Sequence, residues 1–305
     1  APALAGIVVD FFGWRMIFYI VAVVVAVSAV MTGILFGDIL EHEKSRLDIL
    51  SLALCSVGVC GLLLGAGNIG KYSLTNVRVW VPLACGLGGT VLFAARQLRM
   101  EAPFMELRIL KVPRYRTAVI SSMVMYATVM ASSILIPIYI QSVLGFSATL
   151  SGLVTMPGAL ATALISPVSG KLYDKFGIKP LFLAGSIMLT VGSLGTALIL
   201  EDGSLFGIGA LNVVRCAGIG CLMMPFVTWG MSGLRTEHTS HGTALITSLR
   251  TVAGAFGSAI FVAIYNTAAE SGRPYGGMRA AFAGLAVFGA IEIVLACRQK
   301  GGKEA

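Results

Sequence analysis

The chain has 305 residues, 57% of them apolar and 12% charged, with a formal net charge of +8 and a mean hydropathy of +0.89. Soluble domains carry about 25% charged residues, and a single core stops growing near this chain length, so a soluble fold could not hide this much hydrocarbon. That excludes a cytosolic enzyme and a secreted domain. It leaves a polytopic membrane protein, whose basic excess belongs to its loops and the lipid bilayer rather than to nucleic acid.

A spanning helix needs about 20 mainly apolar residues. Residues 1–9 are too short and read as the tail of a span. With no initiating methionine and no charged start, the expectation is a chain entered in mid-helix, not a signal peptide. Nine full-length spans follow, at roughly 15–36, 49–67, 79–98, 117–141, 150–170, 180–200, 205–230, 242–266 and 279–297. The runs are continuously apolar without period-two alternation, so they are helices rather than barrel strands. The fold class is therefore an all-α polytopic membrane bundle of about nine complete spans plus one partial.

Three regions are expected. Residues 1–36 hold the end of one helix bundle, 37–112 two spans flanked by cytoplasmic stretches, and 113–305 six spans with short connections, a self-contained bundle. Of the 22 lysines and arginines, 15 fall on one set of loops and 5 on the alternate set, with Arg215 and Arg250 inside spans. That bias places the first set, and the C-terminus, in the cytoplasm of a cell-membrane protein. The six cysteines lie in or beside apolar runs without zinc spacing and read as small core residues. His238-x-x-His241 lacks a third ligand, so no metal is expected.

The most specific local pattern runs from Gly170 to Lys179, Gly-Lys-Leu-Tyr-Asp-Lys-Phe-Gly-Ile-Lys. It reads as a tight cytoplasmic corner, with Gly170 and Gly177 permitting close approach and positive φ. Asp174 stands near a helix end, where, with Lys175 and Lys179, it could form a gate contact that breaks and reforms. An ordinary basic turn is the alternative.

This pattern resembles the cytoplasmic loop motif of the major facilitator superfamily. Three further segments resemble that family's fourteen-helix drug:proton antiporter branch. Pro2 to Gly6 is similar to the end of its antiporter motif, Phe12 to Ile20 to the entry into its sixth helix, and Gly242 through Arg250, with Gly254 and Gly257, to its penultimate helix. The resemblance implies that 1–36 are helices five and six, 49–98 the two linker helices and 113–305 helices nine to fourteen. It also implies that the branch's proton-linked acid lies in N-terminal helices outside this chain.

Intramembrane charge is rare and usually functional. Arg215 and Arg250 sit roughly 12–15 Å deep at 1.5 Å per residue. Each needs an acid, helix carbonyls or a wet cavity. Of the 14 acidic residues only Glu292 is clearly inside a span, and at six residues from Arg298 it is expected to reach the interface. The counter-charges are therefore expected to be water, a substrate or an acid of the N-terminal half. The alternative is that both arginines bond carbonyls and tie helices together.

Pro157-Gly158 and Met224-Pro225 are expected to unwind or bend their helices beside a site, or to make plain packing kinks. The run Met223 to Trp229 could offer a soft wall for varied apolar ligands, but Trp229 reads rather as a lipid-facing or interfacial aromatic. Tyr126, Asn212 and Gln141 are polar residues in or at the end of spans, fitted equally to cavity lining or interhelical bonding.

Together these readings point to a secondary active transporter, not an enzyme. It would export small amphipathic or cationic drug-like compounds in exchange for protons, with the proton gradient as energy source and no cofactor. The alternatives are an importer or uniporter of another small solute and, from a different class, a proton-channel subunit of a membrane redox complex. The last needs a chain of intramembrane Lys, Glu and His that the spans lack.

Overall fold

The computed structural model describes residues 2–35, 48–69, 72, 76–100, 103, 105–200, 204–235, 238–270 and 272–299. Ala1 and Lys44, Arg46, Lys71, Lys300 and Lys303, which enter the loop-charge comparison, lie outside them. The described residues are mostly helical, with no strand among them. In chain order the helices are α1 (Pro2–Phe12), α2 (Trp14–Leu35), α3 (Ile49–Asn68), α4 (Val77–Arg99), α5 (Pro113–Ile138), α6 (Ala148–Phe176), α7 (Ile178–Ile199), α8 (Leu205–Met231), α9 (Thr239–Glu270) and α10 (Pro274–Arg298). A 3-10 segment, Leu107–Lys111, precedes α5, and a π-helical turn, Tyr139–Val143, follows it. Nine helices among the described residues are long and apolar enough to cross a membrane, as the apolar runs predict.

Local chemistry sets the helix ends. Asp48, Asn76, Ser147 and Ser204 each accept a backbone N–H of the first turn, which satisfies donors that a helix start leaves open. Pro113 and Pro274 occupy first helical positions, where the missing N–H costs nothing. Gly177 has φ +75° and is the only residue between α6 and α7, so that corner turns within one residue.

Lipid gives helices no hydrophobic reason to associate, so close approach depends on small residues. In the α3–α4 hairpin a Cβ on Gly61 would lie 2.7 Å from the Cα of Gly86. At the hairpin's end the Arg96 guanidinium donates to both carboxylate oxygens of Asp48 at 3.1 Å, and Gln97 donates to Ser51. Hydrogen bonds from Arg96 and Ser51 hold the Asp48 carboxyl down to about 2.

Helices α5 to α10 pack around three buried clusters. One, at the end of the bundle carrying the π-turn, gathers Leu135, Tyr139, Leu200, Met278 and Phe282. The second joins α5, α7, α8 and α10 through Met125, Phe182, Leu189, Leu222, Phe226 and Ala296. The third, at the Gly177 end, holds Ile109, Tyr115, Val119, Leu245 and Ile246.

Helix α6 continues through Pro157-Gly158 and α8 through Met224-Pro225, so neither segment unwinds, whereas a π-turn follows α5 just after Pro137. Trp229 does not face lipid: it is 6% exposed, with the Arg114 guanidinium over its ring at 5.5 Å and donating to its carbonyl. Glu292 does not reach the surface. It is 0% exposed, because it falls on the buried stripe of α10 with Ala281, Leu285, Gly289 and Ala296, a spacing of three and four residues that keeps one face of a helix.

Candidate functional site

The sequence-marked residues fall into separate groups rather than one pocket. The first lies between α5 and α9. Gly254 and Gly257 allow α9 to lie directly on α5: a Cβ on Gly254 would lie 2.7 Å from the Tyr126 ring, and one on Gly257 2.7 Å from the Cα of Ala127. One turn before Gly254, the Arg250 guanidinium lies over the Tyr126 ring, 5.4 Å from its centre. The ring's negative face offsets part of the cost of burying this cation. Arg250 is half-buried and forms no ion pair among the described residues, and its Nε is buried without a hydrogen-bond partner.

Along the same helix Ser240, Thr243, Thr247, Ser248 and Thr251 are exposed. With Thr239 and Ala244, four of these line a shallow, open groove along one face of α9. Helix α6 instead exposes Leu153, Met156, Leu160, Leu164 and Val168. An apolar face suits lipid; a hydroxyl-bearing face beside a guanidinium suits water or protein.

The second group sits on α8. Arg215 is 3% exposed and Asn212 4%. The guanidinium Nη2 donates to Asn212 Oδ1 at 2.6 Å, an i, i−3 pair on one helix face, while Nε and Nη1 have no protein partner. Gly192 of α7 lets the Arg215 stem pack closely, since a Cβ there would lie 2.7 Å from that of Arg215. Gly158 of α6 does the same for the Asn212 amide, at 2.5 Å. Arg215 therefore lies inside the bundle where α7 meets α8, and its bond is to a side-chain amide oxygen rather than to a backbone carbonyl.

Gln141 is exposed in the π-turn, 15 residues beyond Tyr126 and so about 22 Å away along the helix. At the opposite end Gly170, Asp174 and Lys175 close α6, Gly177 makes the corner and Lys179 opens α7. Asp174, Lys175 and Lys179 are exposed, and among the described residues Asp174 makes no ion pair or hydrogen bond.

Pro2 begins α1, its side chain outside the described residues. Gly6 is buried where a Cβ would run into the Ala148 carbonyl of α6. Four residues on, the Asp10 carboxylate accepts the Thr149 N–H at 2.7 Å, so α1 supplies an anion to the start of α6. Asp10 was not singled out from the sequence, although its i, i+4 spacing from Gly6 puts it on the same face.

Comparison with known proteins agrees with this architecture. The family model for the Major Facilitator Superfamily matches residues 1–258. Over 301 residues the chain is 30% identical to the uncharacterized MFS-type transporter YcnB of Bacillus subtilis (strain 168), covering 96% of this chain and 64% of that protein. It is 34% identical over 266 residues to the lincomycin resistance protein LmrB of the same organism, covering 86% and 55% respectively. With the riboflavin transporter RibZ of Clostridioides difficile (strain 630) it shares 26% identity over 269 residues, covering 87% and 57%. The chain thus spans between 55% and 64% of the length of these relatives, which are transport proteins rather than enzymes. Helical spans, glycine-set contacts and a match over most of its length agree: this chain belongs to the major facilitator superfamily.

Proposed function

We propose that the chain is the C-terminal portion of a secondary active transporter that exports small amphipathic or cationic compounds in exchange for protons, by alternating access. The observation that carries this reading is the α9 face, where Arg250, held on Tyr126, adjoins the groove of hydroxyls from Thr239 to Ser248. A second helix bundle set against that face would enclose a polar path running from the Gly177 end of the six-helix group towards Arg250, and transporters of repeated architecture bind their cargo near mid-membrane. Residues 1–36 would be the end of that bundle, 37–112 a linker hairpin and 113–305 the bundle described here. The Asp174 corner would be a gate at the cytoplasmic side of the cell membrane, where the C-terminus also lies. The proton gradient supplies the energy, and no cofactor takes part.

The lincomycin resistance relative supports export of a drug-like compound. A second reading, movement of another small solute by import or uniport, is favoured by the riboflavin transporter relative. Everted membrane vesicles carrying the full-length protein decide between them. With an imposed inward-acid gradient, ethidium or lincomycin is expected to accumulate inside and to leave when the gradient collapses, and Arg250→Ala lowers the rate at least about tenfold, which is about 1.4 kcal/mol. Accumulation that ignores the gradient contradicts proton-driven export.

A further inference from the structure

Among the described residues Glu292 is the one buried acid of the six-helix group, and the transport reading makes no use of it. Its carboxyl is 0% exposed, and neither oxygen completes a hydrogen bond. From α5 it is faced by the Ser121 hydroxyl and the Met125 backbone. Ser121 is itself 0% exposed, and its hydroxyl likewise has no partner. Among the described side chains no charged or titratable group of α5, α7 or α9 acts on it, and the nearest basic residue on its own helix, Arg298, is exposed six residues on. Arg215, the other buried charge of the group, forms no ion pair with it.

An ionised carboxylate placed so would be uncompensated, which a protein avoids by neutralising the group. Packing alone does not call for an acid here, because the stripe around it is built of Ala281, Leu285, Gly289 and Ala296. We propose that Glu292 is a proton-binding site within the six-helix group, holding a proton where α5 and α10 are closed over it and releasing it when they part. The step is simple: the carboxylic acid gives its proton to water entering beside Ser121 and becomes a carboxylate, and the return step takes a proton from water. Glu292 lies six residues, about 9 Å, from the exposed Arg298 end of α10, which makes that end the short route to solvent.

The inference rests on the proton-driven reading and is tested on the full-length protein in proteoliposomes. The probe is ethidium, and its affinity is measured across pH for the wild type and for Glu292→Gln, which imitates the protonated acid. The expected result is that Glu292→Gln still binds ethidium and that its plot of log Kd against pH is shallower by about one proton, a tenfold smaller change in affinity per pH unit. An unchanged slope overturns the proposal and makes Glu292 a structural acid. If wild-type affinity is independent of pH, the proposal falls as well; failed gradient-driven uptake in that case marks the failure as one of the proton-driven reading. Should Glu292→Gln not fold, Glu292→Asp is read by infrared spectroscopy. The protonated-carboxyl band must move relative to wild type and respond to ethidium; a band that is the same in both proteins overturns the proposal.

Discussion

Gly257→Leu is expected to cost the full-length protein about 3 kcal/mol or more, read as a large fall in thermal midpoint in detergent and loss of the monodisperse peak. Overfilling a packed contact costs about 1–3 kcal/mol when side chains can give way. Here the added Cβ would meet the Ala127 Cβ at 2.6 Å, its Cα at 2.7 Å and its carbonyl oxygen at 2.9 Å, two of them backbone atoms that no rotamer change can move. Relief requires α9 to leave α5, which also lifts Arg250 from the Tyr126 ring. Gly67→Ala is the control: a Cβ there meets nothing within 4 Å, and alanine is the better helix former by about 1 kcal/mol. A Gly257→Leu protein as stable as the control would show that α5 and α9 do not touch as described.

Arg215→Met is expected to move stability and transport in opposite directions. The guanidinium is almost fully buried, yet a single nitrogen has a protein partner, Asn212. Leaving the Asn212 oxygen without its donor costs about 1–3 kcal/mol. Removing a poorly compensated buried charge gains more, since apolar residues of similar volume in place of buried ions are often neutral or stabilising by about 1–4 kcal/mol. The thermal midpoint should hold or rise while gradient-driven uptake of ethidium falls at least about tenfold. A protein that unfolds with uptake per folded molecule unchanged would make Arg215 a structural tie between α7 and α8.

The spans were legible because the bilayer imposes a continuous apolar run, and such runs stand in the sequence. Which face of each helix turns inward was harder to read, because helices that are apolar all round carry little directional signal. Glu292 shows the consequence. Its distance from Arg298 suggested an interface, whereas its three- and four-residue spacing from Leu285, Gly289 and Ala296 places it in the core. Trp229 was misplaced for the same reason: Arg114, which lies over its ring, is 115 positions away in the chain. The Asn212–Arg215 pair could have been read from its spacing. Nothing local marks Gly158 as the residue that makes room for that asparagine, since the contact lies between α6 and α8.

Transport along the proposed path requires the α9 face to look onto water rather than lipid. The most direct test of this is a single cysteine at Thr247 in a cysteine-free version of the full-length protein, exposed to a charged, membrane-impermeant thiol reagent, with Leu164→Cys on α6 as the lipid-facing comparison. Thr247→Cys is expected to react quickly and to be protected by ethidium, while Leu164→Cys stays unreactive. Equal inertness of the two, with or without ethidium, would place the hydroxyl groove against acyl chains and contradict the proposed path.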